Sequence, residues 1–423
     1  MSFLPGRKPA YIVFVAMALS CTAQAQHNIP LTLAEAEGLA LDSEPGQAAL
    51  LARASALEER SVVAGQLPDP MLQLGLNNFP IEAGGFSTEG MTHALVGLRQ
   101  VFPRGDTRTL STRQFQSFAN EMAENAEVRR VDVLTAARHS WLEAYYWDQA
   151  HAMVAESQPF FRDLAIITRS LYAVGRKNQQ DVLRAELELG RLDDRLIEIE
   201  RRRAAAKAAL SEWVGSNASR PVASTLPEWG ELPKLNVLQA NLMRHPTVGA
   251  ADARIAAREV GVDLANERSK PGWTLDLGYS YREGSLPGGD PRSDFISLNV
   301  SVDLPFFRKK SVDGTLSAAL QERRATRESR EQLLRRLQSQ LDGEYARWQH
   351  LTRRLDLYEQ RILGQARDNA EASLLAYQSD SSDFAGVMRG YIDDLNTRLD
   401  YSRLRVERAQ SYAVLANLGG IPR

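Results

Sequence analysis

The sequence predicts a mainly α-helical protein with a small β part. Two copies of one unit follow each other, each a strand pair leading into a very long helical hairpin. Three observations predict this. Landmarks recur in the same order about 200 residues apart. Two segments in each copy alternate apolar and polar residues with period two. Long stretches nearly free of proline carry apolar residues at 3–4 spacing.

Composition narrows the class before any element is placed. The 423 residues include 51 Lys+Arg and 53 Asp+Glu, a net charge of −2, with 43 % apolar residues. A nucleic-acid binder would carry a basic excess, and a disordered chain would lack apolar material for a core. The longest charge-free apolar run, Tyr11–Ser20, is shorter than the roughly 20 residues of a membrane-spanning helix. Residues 1–25 read as a secretory signal: Arg7 and Lys8, the apolar run, then Ala23-Gln24-Ala25 as the cleavage site. Cys21 raises the rival reading of a lipidated terminus, but Ala18 stands where such a signal wants a larger aliphatic residue. Cleavage after Ala25 removes the sole cysteine, so neither a disulfide framework nor thiol chemistry is expected.

The repeats are expected at 26–215 and 235–423, joined by a proline-rich connecting segment at 216–234. Pro45 answers to Pro246, Pro70 to Pro271, Pro103 to Pro305, Tyr172 to Tyr377, and Trp213-Val214-Gly215 to Leu418-Gly419-Gly420. Each repeat opens with a helical stretch, Leu33–Gln66 or Leu235–Ser269, broken once at Pro45 or Pro246.

Strand pairs follow at about 71–102 and 273–304. Leu72, Leu74 and Leu76 alternate with Gln73, Gly75 and Asn77; Ala94, Val96 and Leu98 alternate with His93, Leu95, Gly97 and Arg99. The second copy is cleaner. Trp273, Leu275, Leu277, Tyr279 and Tyr281 alternate with polar residues including Asp276, and Ile296, Leu298, Val300, Val302 and Leu304 with others including Asp303. Such ribbons suit an outer-membrane barrel, and Phe102, Trp273, Tyr279, Tyr281, Phe306 and Phe307 stand where an aromatic girdle would sit. An ordinary sheet with one face on a soluble core shows the same alternation. Four strands cannot close a barrel, and open edges are not tolerated in lipid. Either the sheet is soluble or several chains pool their strands, three chains giving twelve.

Long hairpins are expected at about 105–215 and 306–418. From Gly105 to Tyr172 roughly 68 residues would span about 100 Å as helix, beyond the needs of one globular core. Leu189, Leu192, Leu196, Ile199, Ala206, Leu210 and Trp213 keep 3–4 spacing, as do Leu399, Ser402, Val406, Ala409, Ala413 and Ala416. Pro159 should kink its helix before the first turn. The turns fall at Tyr172-Ala-Val-Gly175, followed by Asp181-Val-Leu, and at Tyr377-Gln-Ser-Asp380, followed by Asp383. Gly175 suits chain reversal or a helix C-cap, and Asp383 or a neighbouring serine suits an N-cap.

At these residues the chain resembles the TolC family of outer-membrane efflux ducts. The phrase "LPDPMLQLGLNNFP" looks most like the branch serving heavy-metal pumps. The resemblance implies a homotrimer with a twelve-strand barrel in outer-membrane lipid and an α-helical barrel crossing the periplasm. It also implies a periplasmic adaptor and an inner-membrane pump, of RND type for that branch. By position, Tyr172, Gly175, Asp181, Tyr377, Asp380 and Asp383 would form the adaptor-docking tips and periplasmic gate. Asp181 matches a first-tip residue that in the family can hydrogen-bond the second-tip tyrosine, here Tyr377. The second tip departs from the pattern. Asp380 stands where glycine is usual, Ser382 where some members have a gate-linking Arg, and Gly386 and Arg389 where some have acidic residues. Arg99, Asp276 and Asp303 are candidates to face the lumen.

No enzyme signature is present: no His-Glu-x-x-His, no phosphate-binding glycine loop, no Gly-x-Ser-x-Gly. The chain is read as a non-enzyme without cofactor or metal. His139 and Glu143, one helical turn apart, could pair as metal ligands, but a polar helix face explains them more simply. The expected function is a passive exit duct for an efflux pump, with a soluble periplasmic coiled-coil scaffold as the alternative. Nothing in the chain names the cargo.

Overall fold

Proline sets the first boundaries. In the computed structural model, which describes residues 29–421 apart from Ser43, Pro305 and Asp380, α1 covers Leu33–Asp42 and α2 Pro45–Ala64. The second copy repeats this with α5, Leu235–Leu242, and α6, Pro246–Glu267. Pro45 and Pro246 each take the first position of a helix, where the missing N–H costs no intrahelical bond. The signal segment 1–25, with Cys21, lies outside the described residues, as do Pro305 and Asp380.

The remaining elements are β1 (Met71–Asn77), β2 (His93–Phe102), α3 (Thr107–Ala173), α4 (Gln179–Val214), β3 (Trp273–Tyr281), β4 (Phe295–Val302), α7 (Lys309–Leu357), α8 (Leu363–Gln378) and α9 (Phe384–Gly419). α3 stays continuous through Pro159 for 67 residues. Between α7 and α8 the chain passes through a π-turn at Tyr358–Ile362. Simple 3–4 spacing gave no sign of it, because an extra residue in one turn leaves the flanking patterns intact. No described helix is long and apolar enough to cross a membrane.

The chain forms two units. The first comprises 29–46, 129–245 and 336–421, the second 47–128 and 246–335.

The first unit is built on the apolar stripes. Leu192, Ile199, Ala206 and Leu210 on α4 are buried, as are Leu399, Ser402, Val406, Ala409, Ala413 and Ala416 on α9. One cluster gathers Trp141, Leu142, Tyr145, Leu210, Val406 and Ala409 with Leu31 and Val222. Another gathers Phe161, Leu164, Leu192, Ile199, Phe384, Val387 and Leu395 toward the turns. The segment 216–234 does more than connect. Leu31 pairs with Val222 as a parallel bridge, and Trp141 Nε1 donates to Leu31 O at 2.9 Å. Arg220 donates to both carboxylate oxygens of Glu35, at 2.6 and 3.0 Å, and to Ile29 O at 2.9 Å. The Arg220 hydrogen bonds hold the Glu35 carboxyl below its ordinary range.

Glu37 and Arg138 form a buried pair in the same unit, Arg138 Nε to Glu37 Oε1 at 2.7 Å. Removing one member of such a pair strands a charge in a poorly solvating interior. Arg138→Met should therefore cost about 3–5 kcal/mol of stability, read as a lowered denaturation midpoint by circular dichroism. A midpoint within error of wild type would show the pair to be dispensable.

The second unit holds the sheet and the helix segments beside it. Those segments bury mainly small residues, among them Ala54, Ala119, Ala126, Ala250, Ala257 and Ala265. Ion pairs join them, including Arg254–Glu121 at 2.7 Å and Arg327–Glu259 at 2.6 Å. Gly105 makes the turn from β2 into α3. It has φ +44°, and a Cβ there would lie 2.0 Å from Glu267 Oε2, which instead accepts from Asp106 N at 2.8 Å. Only glycine leaves room for that carboxylate. Lys270 bonds Glu267 at 2.7 Å, and this contact holds the Glu267 carboxyl below its usual range.

Candidate functional site

The sheet is fully antiparallel in the order β1-β2-β3-β4. Register sorts its side chains into two faces. Leu72, Leu98, Leu277 and Leu298 stand in one row across the four strands, exposed by 65, 48, 51 and 65 %. The next row on the same face is Leu74, Val96, Tyr279 and Ile296, again all exposed. Rows on the other face read Gln73, Gly97, Gly278, Ser297 and Met71, Arg99, Asp276, Asn299. A continuous apolar face of this size on an isolated chain marks a surface made to be covered. Among the described residues β1 and β4 each have one free edge.

Aromatic residues collect at both ends of the sheet. At one end Phe102 stacks on its cross-strand partner Trp273 with ring centroids 3.8 Å apart, and Phe306 and Phe307 follow β4 fully or largely exposed. At the other end are Tyr279 and Tyr281, with Phe86 stacked near Tyr281 at 6.1 Å, while Phe295, opposite Ser280, falls on the other face. Two aromatic belts flanking an apolar band are the arrangement of a membrane-embedded ribbon. Beyond the second belt Arg282 Nη2 donates to Gly90 O at 2.6 Å and Arg292 Nη1 to Glu89 O at 3.1 Å, joining the β1–β2 and β3–β4 loops.

Arg99 and Asp276 are direct cross-strand partners on the polar face, and Arg99 Nε donates to Asp276 Oδ1. Asp303 follows the last strand residue, and its N–H still donates to Gly272 O at 2.8 Å. β4 ends at Val302, so Asp303 falls just past the strand, where Arg104 Nη2 bonds its Oδ2 at 2.9 Å. Arg104 belongs to no alternating segment, so sequence pattern gave no reason to single it out.

The hairpin turns lie in the first unit. Gly175 has φ +74°; its N–H donates to Tyr172 O at 2.9 Å, and Arg176 N–H reaches back to Leu171 O at 2.9 Å. This pair of bonds is the Schellman termination, which needs a left-handed residue. A Cβ on Gly175 would meet nothing within 4 Å, so backbone conformation alone selects glycine. Tyr172 and Val174 beside it are exposed. Asp181 lies in the first turn of α4, where the helix dipole favours a carboxylate.

The second turn repeats the long backward bond, Ser381 N–H to Ala376 O at 2.9 Å. Asp383 N-caps α9, its side chain accepting Gly386 N–H at 2.8 Å. Tyr377 is buried. It meets Phe384 edge-on at 5.7 Å, and Lys177 Nζ of the first turn lies 4.4 Å from its ring centroid. That cation–π contact joins the two turns, and Lys177 carried no signal in the sequence.

His139 and Glu143 have other surroundings to account for them. Glu143 accepts from Arg403 Nη1 at 2.8 Å and from Gln410 Nε2 at 2.9 Å, while burial pushes the His139 imidazole below its ordinary range. Among the described residues no cluster of three or more metal-ligating side chains exists.

Comparison with known proteins follows the same lines. Residues 237–420 match the family described as outer membrane efflux protein. Protein CyaE of Bordetella pertussis is 28 % identical over 326 residues, covering 72 % of this chain and 68 % of CyaE. Among solved structures, the outer-membrane channel OprN superposes with a TM-score of 0.75 at 16 % identity, over 92 % of this chain and 89 % of OprN. VceC of Vibrio cholerae gives 0.75 at 16 % identity, over 92 % and 96 %. CusC gives 0.76 at 14 %, over 93 % and 94 %. At such identities the solved structures speak for the fold, and the fold they share includes both the long hairpins and the strands.

Proposed function

We propose that the chain, whose residues 237–420 match the outer membrane efflux protein family, belongs to that family and is the passive exit duct of a tripartite efflux system. Members of this family are channels rather than enzymes, and they work as homotrimers with an adaptor and an inner-membrane pump. The observation that carries the reading is the sheet: apolar and exposed on one face, polar on the other, with both edges open.

Physics then constrains the assembly. A ribbon of four strands in lipid would leave its edge N–H and C=O groups unsatisfied, each at a cost of several kcal/mol. Three copies pool twelve strands, an even number that closes with the apolar rows outward and the Arg99–Asp276 row inward. The hairpins would then extend into the periplasm, and the turns around Gly175 and Asp383 would serve as docking tips and gate. An RND-type pump is the partner this reading implies. A metal cargo has its support in the "LPDPMLQLGLNNFP" phrase. A soluble scaffold explains the hairpins but not the bare apolar rows.

The test is detergent extraction followed by planar-bilayer recording. The expected result is a trimer that forms a channel with a low resting conductance. A monomer soluble without detergent would sink the proposal. Asp181→Ala combined with Tyr377→Phe should raise the resting conductance severalfold by loosening the tips. An unchanged conductance in that variant would remove these two residues from the gate while leaving the duct standing.

A further inference from the structure

We propose that the first unit carries a binding site for a small aromatic carboxylate, a site that does not depend on the conduit reading. The site is a cavity of about 740 Å³ lined by Tyr145 of α3, Trp348 of α7, Trp229 of the connecting segment, and Arg405, Arg408 and Tyr412 of α9. Four aromatic side chains stand in its lining. Tyr145 and Tyr412 are buried, and the Trp229 ring lies 5.0 Å from that of Tyr412. Two arginines and one glutamate give it a net positive lining. Arg398 and Arg403 on the same helix pair with Asp394 and Glu143, whereas neither Arg405 nor Arg408 has a carboxylate within ion-pair distance among the described residues. Glu228, also in the lining, pairs with neither. Trp229 Nε1 is a buried donor with no acceptor among the described residues.

Two guanidinium groups, Arg405 and Arg408, in one lining with four aromatic side chains define the ligand's chemistry. A planar carboxylate accepts bidentate bonds from arginine, and the rings take an apolar, flat body. A cavity of this size is in the range of small-molecule sites. A carboxylate from an acidic side chain of a second copy has the same headgroup chemistry, so the test uses the assembled protein.

The experiment is isothermal titration of the detergent-solubilised full assembly with benzoate, with its neutral isostere benzamide, and with inorganic phosphate. Benzoate should bind saturably, at least tenfold more tightly than benzamide or phosphate, and more weakly as salt rises. Arg405→Gln combined with Arg408→Gln should weaken benzoate at least tenfold, while Trp348→Phe, which keeps a ring, should change it by less than threefold. If the double variant fails to assemble, the benzoate-to-benzamide ratio of the unmodified protein still decides. Equal binding of benzamide, equal binding of phosphate, or full retention in the double variant overturns the proposal. So does the absence of any benzoate site, the result expected if a second copy's carboxylate already fills the cavity.

Discussion

Leu298→Arg is expected to keep the protein out of the membrane, while Asn299→Arg, one residue along the same strand, assembles normally. Leu298 stands in the exposed row with Leu72, Leu98 and Leu277, near the middle of the apolar band. Arginine on the lipid face near the bilayer midplane costs about 2–4 kcal/mol in a barrel strand. A trimer incurs that cost once per copy. Asn299 lies opposite Asp276 on the polar face, where an added guanidinium meets a carboxylate and water. The readout is outer-membrane fractionation with a heat-dependent mobility shift for the assembled trimer. Equal assembly of both variants would mean that neither face meets lipid, and the duct proposal would fail with it.

The second large effect is at Gly175. Gly175→Leu should abolish coupling to the adaptor while trimer yield stays at the wild-type level. The cause is conformational, since φ +74° disfavours a residue bearing a Cβ by roughly 1–2 kcal/mol. The open space around the position means that no clash adds to this. Relief comes by refolding the turn, which moves Tyr172 and Val174 from their exposed places and breaks the Arg176–Leu171 bond. Gly175→Asn is the control, because asparagine tolerates the left-handed region and can keep the Schellman bonds. Coupling is read as efflux-dependent resistance in cells and as in vivo crosslinking to the adaptor. Loss of coupling in both variants alike would place the effect in the side chain rather than the backbone, and efflux unaltered in Gly175→Leu would remove this turn from the docking surface.

These two sites also show which parts of the molecule are local. The period-two alternation of Leu275, Leu277 and Tyr279 is written in adjacent residues, because a strand's faces alternate by covalent geometry. The same is true of Pro45 and Pro246 heading their helices, of Gly175 ending α3 and of Asp383 starting α9. Each is a condition on a few neighbouring backbone groups, so the residues that meet it appear in order along the chain. Buried stripes such as Leu399, Val406 and Ala413 were legible for the same reason, a helix fixing which residues share a face.

Other features were decided only when distant residues met. The sequence by itself determined two ribbons and two hairpins. Only the tertiary structure joined the ribbons, by pairing β2 with β3 so that Leu98 stands beside Leu277 and Arg99 beside Asp276. Only there did Asp303 meet Arg104, Lys177 come over Tyr377, and Val222 and Trp229 turn a proline-rich connector into part of a core and a cavity wall. The physical reason is the same in each case. Periodicity and capping act over one turn or one pleat, whereas pairing partners across 100 or more residues are chosen by the whole chain's burial and charge matching, which no short stretch encodes.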